Sequence, residues 1–179
     1  EQVFVDARGE CHDILVNVRR MTDADGNFIG TAGNLRDVTL RKAAERRLRE
    51  SEERFRLLAE AAPVGIFQLG PDHKLSFANS AWSEMSGLTL ETARDIGWTR
   101  AMTPEDAQRT SAGWAKALET QSEYHSEYRW LHEGGGETWV DVLIKPIRQA
   151  DGEMIGHIGV SVDITERKQM QLELEDATQ

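Results

Sequence analysis

The sequence is poor in cysteine and positive charge, and each shortage closes off a class of protein. Cys11 is the one cysteine among 179 residues, so no internal disulfide and no multi-cysteine metal site can form. A single thiol fits a reducing compartment, and the expected location is cytoplasmic. No stretch approaches the ~18 consecutive apolar residues of a membrane-spanning helix, and no basic-then-apolar segment resembles a secretory signal. These residues are therefore expected to make no membrane contact, while an anchor upstream in a longer parent chain stays open. The chain begins with Glu1 in a strand-like run, and the natural protein is expected to extend upstream. Lys and Arg number 21 against 31 Asp and Glu, a net charge of -10, which argues against nucleic acid because phosphate binding rests on cationic side chains. With 39% hydrophobic residues there is enough apolar material for a packed core.

Chemical signatures are scarce as well. The five histidines are scattered, with no His-Glu-x-x-His and no Cys-x-x-Cys, so no metal site is expected. Gly134-Gly-Gly136 lacks the Lys-Ser/Thr of a phosphate loop and falls between two strand-like runs, where it reads as a hairpin turn. No nucleophile-elbow sequence places a serine beside a histidine. No catalytic residues are assigned.

What is present is an internal repeat. Asp25-Gly-Asn-Phe-Ile-Gly30 matches Asp151-Gly-Glu-Met-Ile-Gly156 at an offset of 151 − 25 = 126 residues. The register then holds without a gap: Gly33 with Gly159, Asp37 with Asp163, Thr39 with Thr165, Lys42 with Lys168, Leu48 with Leu174. A fixed period of this length marks a repeated domain with its linker. Four segments follow: residues 1–38 as the last strands of a truncated first unit, 39–62 as a connector helix, 63–166 as a complete unit, and 167–179 as the start of an outgoing helix.

Within the complete unit, Pro63 ends the preceding helix. Gly65–Leu69 and Leu75–Ala78 flank the turn cluster Gly70-Pro71-Asp72 and read as a hairpin. Asn79 and Thr89 are placed to cap two short helices. Thr103-Pro104-Glu105-Asp106 sets a cap, a first-turn proline and early acidic residues in order, which predicts a helix to about Glu119. Three strand-like stretches close the unit, at 123–132, 138–147 and 154–162.

This order and these words resemble PAS domains with their C-terminal PAC segment, in the subgroup whose long helix follows a Pro-Glu-Asp turn. The words are Ala61-Ala-Pro-Val-Gly-Ile-Phe67, Phe77-Ala-Asn-Ser80, Thr103-Pro-Glu-Asp106 through Leu118, Glu127-Tyr-Arg129, Trp139-Val140 and Asp163-Ile-Thr-Glu-Arg-Lys168. Asp37-Val-Thr-Leu-Arg-Lys42 repeats the last of them, as in a tandem PAS region. The resemblance implies an α+β fold: a five-stranded antiparallel sheet with helices on one face, forming a cup that holds a ligand in some members. It also implies a sensory, non-catalytic module of a bacterial-type signalling protein such as a sensor histidine kinase, feeding an output domain in the same chain. A diguanylate cyclase or phosphodiesterase output and a ligand-free dimerisation scaffold are the alternatives.

The connector carries Ala44, Leu48, Ser51, Phe55, Leu58 and Ala62 at spacings of 4, 3, 4, 3 and 4, an apolar stripe with a heptad period opposite a charged face. Two readings stay open: a parallel coiled coil between two chains, giving a homodimer, or a helix laid on its own sheet. Met170, Leu174 and Ala177 begin a similar stripe in the outgoing helix. At the two strand-to-helix exits, Asp37 with Thr39 and Asp163 with Thr165 read either as helix caps or, as the family implies, as the motif that couples sheet movement to the helix.

The cofactor question is narrowed by the family's own chemistry. Flavin-cysteinyl photochemistry needs a thiol, and residues 63–168 contain none. Haem in this fold takes a histidine from the long helix, and 104–119 offers none; His125, His132 and His157 fall on strands or loops. All five tryptophans lie in the complete unit, and Trp98 and Trp114 are the candidates for contact with a small organic ligand.

Overall fold

The computed structural model describes residues 2–176. It divides into two compact units, 1–55 and 56–179.

The first unit is a three-stranded antiparallel sheet, β1 (Gln2–Val5), β2 (Cys11–Thr22) and β3 (Phe28–Asp37), followed by the start of helix α1 (Thr39–Ala61). Asp6 and Asp23 close its two hairpins. Asp6 accepts from the Arg8 and Glu10 amides and Asp23 from the Asp25 and Asn27 amides, the side-chain turn geometry that favours Asp at such corners.

The second unit contains the strands β4 (Gly65–Leu69), β5 (Leu75–Ala78), β6 (Tyr124–Leu131), β7 (Glu137–Arg148) and β8 (Met154–Asp163) in the order β5-β4-β8-β7-β6. Every recorded pairing is antiparallel. Helices α2 (Ser80–Ser86), α3 (Leu90–Ile96) and α4 (Pro104–Thr120), with a 3₁₀ turn at Trp98–Ala101, pack on one face. Helix α5 (Thr165–Asp176) leaves after β8. The helix starts are those the sequence predicts: Asn79, Thr89 and Thr103 each accept a backbone amide three residues on, and Gly87 ends α2 in the left-handed conformation.

The 126-residue offset holds at the level of whole elements. Subtracting 126 from the bounds of β7, β8 and the first residue of α5 returns those of β2, β3 and α1. Ile14 faces Asp37 as Val140 faces Asp163, and both pairs are irregular at their far ends, at Met21/Thr22 and Ile147/Arg148.

The connector is not a third body. Its first turn bonds to the first unit, where the Lys42 ammonium pairs with Asp13. Its last turn belongs to the second, where the Ala59 carbonyl accepts from the Asn79 amide group and Glu60 accepts from Ser80. The stripe residues Leu48 and Leu58 are 62% and 67% exposed, and Phe55 is also open to solvent. Ala44 and Ser51 are exposed too, and Ala62 falls just past the last helical residue and is half-buried. On α5, Met170 and Leu174 are exposed, and Ala177 lies outside the described residues. No helix among the described residues is long and apolar enough to cross a membrane.

Candidate functional site

Alternation along β4, β6 and β7 turns Phe67, Leu69, Tyr128, Trp130, Val140, Val142 and Ile144 toward the helices, where each is buried. This face is the floor of the cup. Trp82 from α2, Trp98 from the 3₁₀ turn and Trp114 from α4 close it from above. Trp130 lies at the centre, 5.9 Å from Trp82, 6.5 Å from Trp98 and 5.2 Å from Tyr128, each contact edge-on, the arrangement aromatic quadrupoles prefer. A Cβ on Gly159 would fall 2.1 Å from the Phe67 ring, so glycine is needed for that ring to lie across β8.

The structure therefore brings Trp98 and Trp114 to one cavity, and that cavity is nearly full. About 20 Å³ remains for the centre of a water-sized sphere, room for roughly one water molecule. Its lining is apolar apart from the edges of the aromatic polar groups. Among the described residues, four buried side-chain polar atoms have no protein partner: Trp130 Nε1, Thr110 Oγ1, His157 Nδ1 and Ser161 Oγ.

His157 is 2% exposed, with its ring edge-on to Trp114 at 5.0 Å and tilted against His73 at 5.5 Å. Burial lowers its pKa, and His73 and Arg148 add to the effect. It is a packed histidine, and period-two alternation with Gly159 and Ser161 is the signal that could have found it. The Tyr128 phenol is pushed well up, by burial and then by Tyr124.

The two helix exits share one geometry. The Asp163 carboxylate accepts the Thr165 amide at 2.8 Å, and the Thr165 hydroxyl accepts the Trp139 amide at 3.0 Å. The Trp139 carbonyl in turn accepts the Ile164 amide at 2.8 Å. Both backbone groups of one β7 residue are thus committed to the first residues of the helix segment. In the first unit Asp37, Thr39, Asp13 and Val38 repeat these bonds. There the Thr39 hydroxyl also donates to Asp37 at 2.6 Å, and His12 Nδ1 lies 2.9 Å from the same carboxylate. Those two bonds with the Thr39 amide hold Asp37 at a pKa of about 2, the Thr39 hydroxyl contributing most. The His12 pKa is raised, first by Asp37 and further by Asp6.

Around the second exit lie residues the sequence did not single out for function. Glu127 on β6 pairs with Arg167 and Lys168 of α5, and chiefly the Lys168 bond lowers its pKa. Arg129 and Lys168 each place their cationic group 5.1 Å from the Trp139 ring centre.

Residues 59–169 match the PAS fold family, so this chain belongs to it. It is 33% identical over 149 residues to the uncharacterised protein y4lL of Sinorhizobium fredii, an alignment covering 83% of this chain and 18% of that protein. It is 26% identical over 175 residues to the peroxide stress-activated histidine kinase mak1 of Schizosaccharomyces pombe, covering 88% of this chain and 10% of the kinase. Among solved structures, the N-terminal domain of a diguanylate cyclase with PAS/PAC sensor from Marinobacter aquaeolei superposes with a TM-score of 0.53 at 20% identity. That match covers 59% of this chain and 98% of the other, and shows shared fold. The chain thus spans between about a tenth and a fifth of the length of the curated relatives it matches.

Proposed function

We propose that this chain is the regulatory region of a longer signalling protein, in which a PAS unit at 63–166 passes its state through α5 to a catalytic domain further along the chain. The output we favour is a histidine kinase, as in the mak1 relative; a diguanylate cyclase is the second reading. The observation that carries the proposal is the pair of hydrogen bonds joining the Trp139 backbone to Ile164 and Thr165, since a shift of β7 would strain the root of α5. Residues 1–38 are read as the closing strands of a preceding PAS unit, supported by the element-by-element match with β7 and β8. The connector is read as one strand of a parallel homodimeric coiled coil, supported by the exposure of Leu48 and Leu58 on the heptad stripe. Ala44 and Ser51 weaken that seam, which suits an element poised between two registers. The proposed setting is cytoplasmic, with any membrane anchor upstream.

The cup is assigned to a small organic guest or to none. A flavin bound through cysteine and a haem bound from the long helix do not fit these residues, for the reasons of composition given above. If the cup stays filled by Trp98 and Trp130, the module is a dimerisation scaffold, and mass spectrometry of the native protein separates the two cases by a retained small molecule.

The test joins α5 to a histidine kinase core. Asp163→Ala is expected to abolish PAS-dependent control of autophosphorylation while lowering the melting temperature by only a few degrees, as loss of a cap worth about 1 kcal/mol would. Regulation that falls only in step with melting temperature would reduce Asp163 to a cap. A chain that sediments as a monomer at hundreds of micromolar would remove the coiled coil.

A further inference from the structure

Asp106, the third residue of α4, is more heavily bonded than a first-turn acid needs to be. Its side chain is 7% exposed and accepts three hydrogen bonds: Arg109 Nη2 at 2.7 Å, Arg129 Nε at 3.0 Å and the Arg129 amide at 3.3 Å. Burial pushes its pKa up, but the arginine bonds together outweigh burial and the net shift is down. A carboxylate this enclosed is stable only while both guanidinium groups stay in place.

The bonds continue outward from there. Arg109 also reaches the Glu127 carbonyl at 2.8 Å and Ser126 at 3.1 Å, tying α4 to β6. Arg129 leans over the Trp139 indole, with Glu137 at 3.7 Å on its flank. Lys168 of α5 reaches the same indole and, at 2.7 Å, Glu127. The indole is therefore shared by a cation fixed to α4 through Asp106 and a cation that belongs to α5. Its own backbone meanwhile bonds Ile164 and Thr165. Helix α4 also carries Trp114 into the cup.

We propose that Asp106, Arg129, Trp139 and Lys168 form a relay that reports the position of α4 to the outgoing helix, with the Trp139 ring as its joint. This rests on the reading of α5 as the output helix. The relay is private to the second unit. By the 126-residue offset the counterparts of Arg129 and Trp139 are Val3 and Asp13, and Lys42 pairs with Asp13 directly at 3.2 Å. The first exit keeps the helix tie and has neither the ring nor the arginine.

Hydrogen–deuterium exchange on the 179-residue chain tests this, with amides of α5 as the reporter and those of Val142, Ile144 and Val160 as the reference for global opening. Asp106→Asn is expected to speed α5 exchange about 2–5-fold, the scale of one cation–π contact, with the reference amides unchanged. Trp139→Leu is expected to do the same, and the double variant to be no faster than Trp139→Leu alone. Arg129→Lys, which keeps the charge and loses the fork, should reproduce Asp106→Asn in a fold that is otherwise intact. Additive effects of Asp106→Asn and Trp139→Leu would overturn the relay, as would α5 exchange that is unchanged or that rises only in parallel with the reference amides. The reading requires no output domain, so a regulated chimera with additive exchange would sink the relay alone. A coupled α5 on an unregulated chimera would sink the proposed function alone.

Discussion

The two copies of the strand-to-helix exit show how one backbone solution can be loaded with different chemistry. In both, a threonine two residues past the last strand accepts the amide of the neighbouring strand, and the aspartate that ends the strand caps the helix. The first exit then adds hydrophilic, half-buried partners, His12 and Lys42, around its carboxylates. The second adds an aromatic ring with cations above it, over a buried core. The backbone geometry is a property of the motif; what it is connected to is a property of each unit.

The largest difference is expected from the floor of the cup. Trp130 is 1% exposed, whereas its counterpart at the same offset, Phe4, is 43% exposed. Trp130→Ala should destabilise the second unit by about 3–5 kcal/mol, and Phe4→Ala should cost under about 1 kcal/mol; denaturant titration of each variant measures both. Similar losses would mean that Phe4 is covered in solution.

Next in size are the threonines. Thr165→Val removes the acceptor of the Trp139 amide and should cost about 1 kcal/mol. Thr39→Val removes the same tie and the hydroxyl that Asp37 accepts, so the Asp37 pKa should climb from about 2 toward the ordinary carboxylate range. Carboxyl titration followed by NMR reads that shift, and an unmoved Asp37 would assign its acidity to the Thr39 amide and His12.

The smallest effects are those of pH, and they run in opposite directions. The folded-state pKa of His157 is depressed, so its contribution is full above about pH 6.5 and is lost as pH falls below that value. The His12 pKa is raised, so its contribution is full below about pH 6.5 and is lost as pH rises through the folded value. His157→Phe should flatten the acid side of the stability curve of the second unit. His12→Asn should flatten the alkaline side for the first, and slopes of the same sign would break the contrast.

Much of this was legible in the residues. Turn and cap chemistry at Pro63, Asn79, Thr103 and Asp151-Gly152 is local, and the repeat transfers one unit's signals to the other, so the elements and family emerge before any coordinates. Side-chain depth is not local. Periodicity puts Trp130 and His157 on a face without saying how far the face is covered, and Asn79 reads as a cap while it also bonds Ala59, Val64 and Ile66. The meeting of Arg129 and Trp139 depends on the β6–β7 register, where they stand directly opposite. Asp106 reads in the sequence as an early acidic residue of its helix; only the fold shows two arginines converging on it.

A packed cup sets the terms on which any guest is admitted. With room for about one water molecule beside Trp98 and Trp130, any larger ligand could bind only molecules in which the indoles have swung aside. Measured affinity is then the intrinsic affinity diminished by that open fraction. Association should be slow and steeply dependent on temperature, so an equilibrium screen read too early would score a true ligand as inert.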